Sequence, residues 1–483
     1  MDRRSRREFL RLAGSSMAAM AVVGCGGTRS AKVVAAGTGA PFRRPEELTS
    51  VNGRLEVILT AAATSVPYGS AARLAYTYNG STPGPTLRVR PGDTVIVTLK
   101  NQLNTDTNLH AHGLHVSPSG DSDNIFVVVP PGSEHTYTYV IPDDHPSGLF
   151  WYHPHAHGHV AEQIAAGLAG AIIVTDSLDA IPEIAASIER LWVLADPPIG
   201  GSSAVLAASQ MTRMQGREGD VVLVNGVAQP RLDVTAGALE RWRIVNASAS
   251  RYYRLALDQH QLQVIASDAE RLTAPVTVAE ILLAPGERTE ILVTPTRSGA
   301  FALRALGYDR GSAGMGGRGS TGNSETPVAT MNVTGTATAA TLPVSITKPR
   351  PSPDVSATRS LTLAMGAGGG MGGMGGASMM AFTIDGKTFD PERVDVTVRG
   401  GTTEEWAIRN TSSMDHPFHL HVWPFQIVDG PATSGWKDTV NVPAGRTVTI
   451  RIPFTDFTGR TVYHCHILDH EDLGMMGIIN VTS

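Results

Sequence analysis

Along most of the chain, apolar and polar residues alternate in short runs, each ended by Gly, Pro, Asn or Asp, the pattern of half-buried β-strands joined by turns. One such unit recurs three times. It opens on Asn79-Gly80, Asn225-Gly226 or Asp385-Gly386 and continues through Leu87-Arg88-Val89, Leu232-Asp233-Val234 or Val394-Asp395-Val396 to a glycine turn. A further strand then closes at Asn101, Asn246 or Asn410. Asn-Gly and Asp-Gly are hairpin dipeptides because both central positions of the turn need positive φ. The repeat predicts an all-β chain of consecutive β-sandwiches. Helices should be few, the best candidate being a linker helix from Ile181 to Arg190 with Pro182 in its first turn.

Composition agrees with that class. The 483 residues suffice for two to four domains, and 17% charged residues with 51 glycines, 30 prolines and 6% aromatics suit an all-β globular protein. A net charge of -5 gives no case for a nucleic-acid partner. Ser5-Arg6-Arg7-Glu8-Phe9-Leu10, followed by an apolar stretch from Leu12 to Val23, reads as a twin-arginine export signal, too short to span a membrane. The expected destination is the periplasm or cell surface. Val22-Val23-Gly24-Cys25 resembles a lipobox, so Cys25 is expected to carry a lipid anchor; the alternative is plain cleavage before Ala40, and mass spectrometry of the native N-terminus separates the two.

The densest chemistry lies in His464-Cys465-His466-Ile467-Leu468-Asp469-His470-Glu471-Asp472-Leu473-Gly474-Met475. A cysteine, an imidazole five positions on and a thioether ten positions on form the ligand set of an electron-transfer copper with a weak axial methionine; Met476 is the neighbouring candidate, and spacing favours Met475. In an extended strand Cys465 faces one side while His464 and His466 face the other, where a second metal would sit. With Cys25 in the leader, Cys465 has no disulfide partner despite an oxidising destination, which fits a cysteine committed to metal. Histidines cluster again at His110-Ala111-His112, His153-Pro154-His155 and His416-Pro417-Phe418-His419-Leu420-His421. Random scatter of sixteen histidines gives roughly half of one His-x-His pair; the chain has six.

With these four motifs in this order, the chain resembles the multicopper oxidases, a family that includes laccases and bacterial cuprous oxidases, from about residue 45 to the end. The resemblance implies three cupredoxin-like Greek-key domains at 41–178, 179–345 and 346–483, after a signal and mature N-terminus at 1–40. It also implies four copper ions. His416, Cys465, His470 and Met475 would hold the type 1 copper, and His110 and His419 the type 2. His112, His153 and His466 would hold one type 3 copper, and His155, His421 and His464 the other. The implied activity is oxidation of a one-electron donor at the type 1 site and four-electron reduction of dioxygen to water at the trinuclear site, by a monomer. His470 or His416 would lie just under the surface facing the donor. Copper-free relatives keep the fold but lose these ligands, so the full set argues against both a bare scaffold and a copper-sequestering protein without turnover. Ala111 departs from the family pattern, which often has a large aromatic residue there.

Glu471 and Asp121 stand where the family places its proton relay, although Asp121 lies in Ser117–Asn124, a run that also reads as an ordinary turn. The middle domain has only His260 and is expected to act as a spacer, with Pro349, Pro351 and Pro353 marking the connection beyond it. His157 and His159 extend the second cluster without a family role. Met365, Met371, Met374, Met379 and Met380 stud a glycine tract, Met414 precedes His416, and Met315 sits in a Gly/Ser run. Soft thioethers select Cu(I), so the expected donor is Cu(I); the alternative is a broad laccase acting on phenols and aromatic amines, with the tract as lid or spacer.

Overall fold

The structure is a computed structural model that describes residues 39–483 apart from 69–70, 176, 199–206, 269, 313–323, 349, 368–379, 429 and 431–434. The leader with Cys25, and Met315, Met371, Met374 and Met379, lie outside the described residues.

Among the described residues six sheets form, two in each of three sandwiches. In the first, strands 54–68, 71–78, 94–101 and 134–140 face a second sheet that contains His110–His112, Gly148–His153 and Gly170–Val174. The alternation read from sequence is the burial pattern. In Thr94–Asn101, residues Val95, Val97, Leu99 and Asn101 point into the core and their neighbours point out. Each such aliphatic side chain contributes about 1.5–3 kcal/mol on burial. The second sandwich spans strands 188–334 and the third strands 357–482, each around its own core. The connections run through 175–187 and 335–356.

The threefold repeat has a physical meaning at two positions. At the hairpin tips, Asn79, Asn225 and Asp385 have φ of 54°, 51° and 52°, and the glycines after them 75°, 78° and 74°, as paired positive-φ turns require. At the closing asparagines the side chain is a lock. Asn101 Nδ2 donates to the Thr105 and Val129 carbonyls, and its Oδ1 accepts the Leu103 N–H. Asn246 does the same with Arg251, Leu283 and Ser248, and Asn410 with Met414, Val442 and Ser412. A backbone loop that the sheets leave unpaired is thus satisfied in the same way three times.

Four short α-helices occur among the described residues: α1 (Val160–Ala165), α2 (Pro182–Ala185), α3 (Gln210–Gln215) and α4 (Leu468–Asp472). The expected helix from Ile181 to Arg190 is therefore shorter. It stops at Ala185 because Ile188–Leu194 pair in parallel with Glu240–Asn246, and sheet pairing takes the backbone groups a longer helix would use. The sandwiches meet at polar clasps. Asp472 of α4 accepts the N–H groups of Gly158, Val160 and Ala161 at the start of α1, joining third to first. Buried Asp469 pairs with Arg217, joining third to second.

Replacing Asn101 by Ala leaves two buried carbonyls and an N–H unpaired, so a loss of about 2–3 kcal/mol is expected. Denaturant unfolding measures it, and a midpoint equal to wild type would contradict the lock.

Candidate metal centre

The strand Gly459–Cys465 pairs antiparallel with His416–Leu420, setting Phe418 opposite Cys465 and His419 opposite His464. Alternation then divides the ligands between two sides of one strand. On the Cys465 side, Nδ1 of His416 lies 3.3 Å and Nδ1 of His470 3.9 Å from Sγ, and the two nitrogens are 3.3 Å apart. Their other nitrogens fix the protons. The single Ser412 hydroxyl proton has two oxygens that only accept within reach, Asn410 Oδ1 and the Met414 carbonyl, so His416 Nε2 donates to Ser412 Oγ; His470 Nε2 donates to the Met214 carbonyl at 3.0 Å. Both Nδ1 atoms are therefore bare lone pairs. Met475 shares the buried core of Cys465 and its carbonyl accepts the Cys465 N–H, whereas Met476 packs in a separate cluster with Ile125, Val462 and Ile478.

On the opposite side eight buried imidazoles converge, four from the first sandwich and four from the third. Nε2 of His464 lies 3.2 Å from Nε2 of both His155 and His421, and its proton is on Nδ1, donated to the Cys465 carbonyl. His112 Nδ1 and His153 Nε2 are 3.4 Å apart, with their protons donated outward to Asp438 and the Pro154 carbonyl; His466 completes that triad. His110 donates to Asp123 and His419 to the Asp438 carbonyl, which leaves both Nε2 atoms without a partner in a group that includes His112. Facing lone pairs at these distances repel, and a cation between them removes the conflict. Thiolate, imidazole and thioether on one side and imidazole alone on the other suit copper.

Burial and mutual repulsion keep these rings neutral. His110, His112, His153, His421, His466 and His470 fall well below the usual histidine range, His155 and His464 to about 4, and His416 and His419 to about 3. The Cys465 thiol is pushed up by burial, so its thiolate needs a bound cation.

Besides Asp438, two buried carboxyls touch the imidazole cluster. Glu471 lies 3.0 Å from His464 Nδ1 and 3.5 Å from His155 Nε2, without a hydrogen bond to either, and burial pushes it up to about 7. The other is Asp123. It accepts from His110 Nδ1 and the Ala111 N–H, and burial, partly offset by that N–H, pushes it up to about 7. Asp121 is not beside the cluster. Its side chain is 72% exposed and 3.5 Å from His135, because its carbonyl is held by the Thr138 N–H at the sheet edge.

Other expected residues are placed as follows. Met414 is fully buried with its carbonyl held by Asn410, so its thioether does not meet solvent. Met365 is half-buried against the third core and pairs across strands with Phe382, whose ring stacks on His470 at 4.3 Å; Met380 opens the neighbouring strand. His470 is itself fully buried, with α3 over its Nε2. His157 rests on Phe389 and His159 on Glu162, and neither belongs to a group of candidate ligands among the described residues. Asp123, Asp438 and Met214 were not singled out by sequence. Only Met214 carried a signal, a Met-x-x-Met pair in a domain without a histidine cluster.

Comparison with known proteins accords with this geometry. Multicopper oxidase family profiles match residues 60–179, 201–336 and 371–483. A multicopper oxidase of Staphylococcus haemolyticus is 31% identical over 420 residues, covering 84% of this chain and 83% of that one. A Bacillus subtilis laccase is 29% identical over 84% of this chain and 90% of its own. The solved structure of a Campylobacter jejuni multicopper oxidase, described as a metallo-oxidase, superposes with a TM-score of 0.79 at 29% identity, covering 92% and 94% of the two chains. Fold and ligand set together define a copper-dependent oxidoreductase built from cupredoxin-like domains. The chain belongs to the multicopper oxidase family, and oxygen is its electron acceptor.

Proposed function

We propose that this oxidase binds four coppers and draws its electrons from Cu(I). His416, Cys465, His470 and Met475 would hold a type 1 copper; His110 and His419 a type 2; His112, His153 and His466 one type 3, and His155, His421 and His464 the other. The observation that carries the reading is the set of bare nitrogens: in seven of the ten rings the proton is donated outward, which leaves the other nitrogen facing its partners. Bound copper supplies one-electron redox chemistry, and four such centres match the four electrons that convert dioxygen to water. The strand 459–465 supports a short route between the two sides, because Cys465 and its histidine neighbours are covalently continuous. An intense blue band with four coppers per chain is expected, and a colourless oxidised protein at full loading would contradict the type 1 assignment.

Oxygen reduction also consumes protons. Asp123 and Glu471, buried against His110 and His464, are the residues positioned to deliver them, and the positive charge of bound cations lowers both from the values burial sets. Asp123→Asn is expected to slow oxygen uptake about 10²-fold while keeping the blue colour. Asp121→Asn should leave uptake unchanged, and the reverse ranking in an oxygen-electrode assay would remove the assignment to Asp123.

Two methionines support Cu(I) as donor. Met214 packs against the core that holds Cys465 and joins His470 through its carbonyl, and Met365 lies across from the Phe382 ring on His470. Soft sulfur at this edge favours a cuprous donor over a phenol. The Met214→Leu/Met365→Leu variant, and separately deletion of 368–379, should lower Cu(I) oxidation about tenfold or more and spare phenol oxidation. Equal loss with both donors would favour the laccase reading. Export through the twin-arginine route, with lipid on Cys25, is supported by Arg6-Arg7 and the apolar stretch before Cys25.

A further inference from the structure

The middle sandwich lacks a histidine cluster, yet it reaches the imidazoles. Strand Arg288–Val293 begins with a fully buried arginine whose guanidinium meets all three sandwiches. Nη1 and Nη2 donate to the two oxygens of Asp438 at 2.6 Å each, in the third; Nε donates to the Leu149 carbonyl, in the first; and within its own sandwich the guanidinium lies 3.5 Å from Asp268. Asp438 is the proton acceptor that orients two of the cluster's rings. Its Oδ1 accepts from His112 Nε2 at 3.0 Å, and its carbonyl accepts from His419 Nδ1 at 2.8 Å.

Asp438 has several demands on it. Oδ1 also accepts from the Thr439 hydroxyl, and the carboxylate is almost completely buried. Burial alone would raise its pKa, and Arg288 reverses that, holding it below the usual carboxylate range. A bidentate guanidinium fixes the plane of a carboxylate, which a single ammonium does not. The fit is closed on every side. A methyl on Gly113, beside His112, would come within 2.4 Å of Arg288 Nη2 and 2.7 Å of Asp438 Oδ2, and one on Gly286 within 2.9 Å of the His466 ring. The turn before Arg288 is thus seated directly against a third ligand.

We propose that Arg288 is a positioning residue for the oxygen-reducing cluster: it clamps Asp438, whose carboxylate turns His112 Nδ1 and whose backbone carbonyl turns His419 Nε2 toward the metal, so the middle domain sets ligand geometry there. The inference rests on the copper assignments above. The type 1 triad lies on the other side of strand 459–465 and serves as an internal control.

The test uses copper-loaded Arg288→Lys, which keeps the charge but loses the fork, and Arg288→Met. The expected result is a type 2 electron paramagnetic resonance signal with altered hyperfine splitting, a kcat for oxygen uptake lowered about 10–100-fold, and an unchanged donor KM and blue band. Lysine should restore part of what methionine loses. A type 2 signal and kcat equal to wild type in both variants would overturn the proposal, as would equal loss of the blue and type 2 signals in a folded variant. If neither variant folds, Gly113→Ala decides, because it pushes on the same pair with Arg288 in place: a shifted type 2 signal with the blue band intact supports the proposal, and an unshifted one overturns it. A wild-type preparation lacking a type 1 or type 2 signal would overturn the copper assignments themselves, and this inference with them.

Discussion

Everything at the centre of this protein depends on where each imidazole keeps its proton. A neutral histidine has one N–H, and in a buried site whichever nitrogen finds an acceptor donates, leaving the other as a lone pair. Ser412, Met214, Pro154, Asp123, Asp438 and the Cys465 carbonyl are those acceptors. Each lies on the far side of its ring from the metal position. Seven of the ten clustered imidazoles are thus arranged before any cation binds, and the repulsion between facing lone pairs is opposed by the packing of the three cores.

That demand explains why the sandwiches are clasped with buried charge as well as apolar contact. The imidazole cluster forms only where the first and third sandwiches meet, so a small rotation between them would separate Nε2 of His155 from Nε2 of His464. Asp472 against the start of α1, Arg217 against Asp469 and Arg288 against Asp438 each join elements of different sandwiches at defined angles. Hydrophobic burial is non-directional and leaves such an angle soft, whereas a two-oxygen contact to guanidinium fixes it.

What the sequence made legible follows from how local the signal is. Strand alternation, the three turn dipeptides and the closing asparagines are set by neighbours a few residues away, and all were readable. The clustered histidines were readable for the same reason, since a strand places His-x-His pairs on one face. Asp123 was not, because two aspartates one residue apart differ only in which of them the chain turns inward, and the Ala111 N–H that captures Asp123 comes from another segment. Arg288 and Asp438 look like ordinary strand and loop charges 150 positions apart. Met214 stands on a six-residue helix whose relation to His470 is purely tertiary. The helix from Ile181 was overextended because local propensity carried no information about the parallel partner at Glu240–Asn246.

The strand bearing His464 and His466 also lies near the end of the chain, and His155 precedes His464 by 309 positions. During synthesis the first sandwich therefore exposes four neutral imidazoles while their counterparts are not yet translated. Imidazole accepts zinc or nickel as well as copper, although copper(II) binds it most tightly of the three. A nascent chain thus holds half of an all-imidazole site that other divalent ions can occupy, while Cys465 and Met475, the soft ligands, belong to the other centre and follow later.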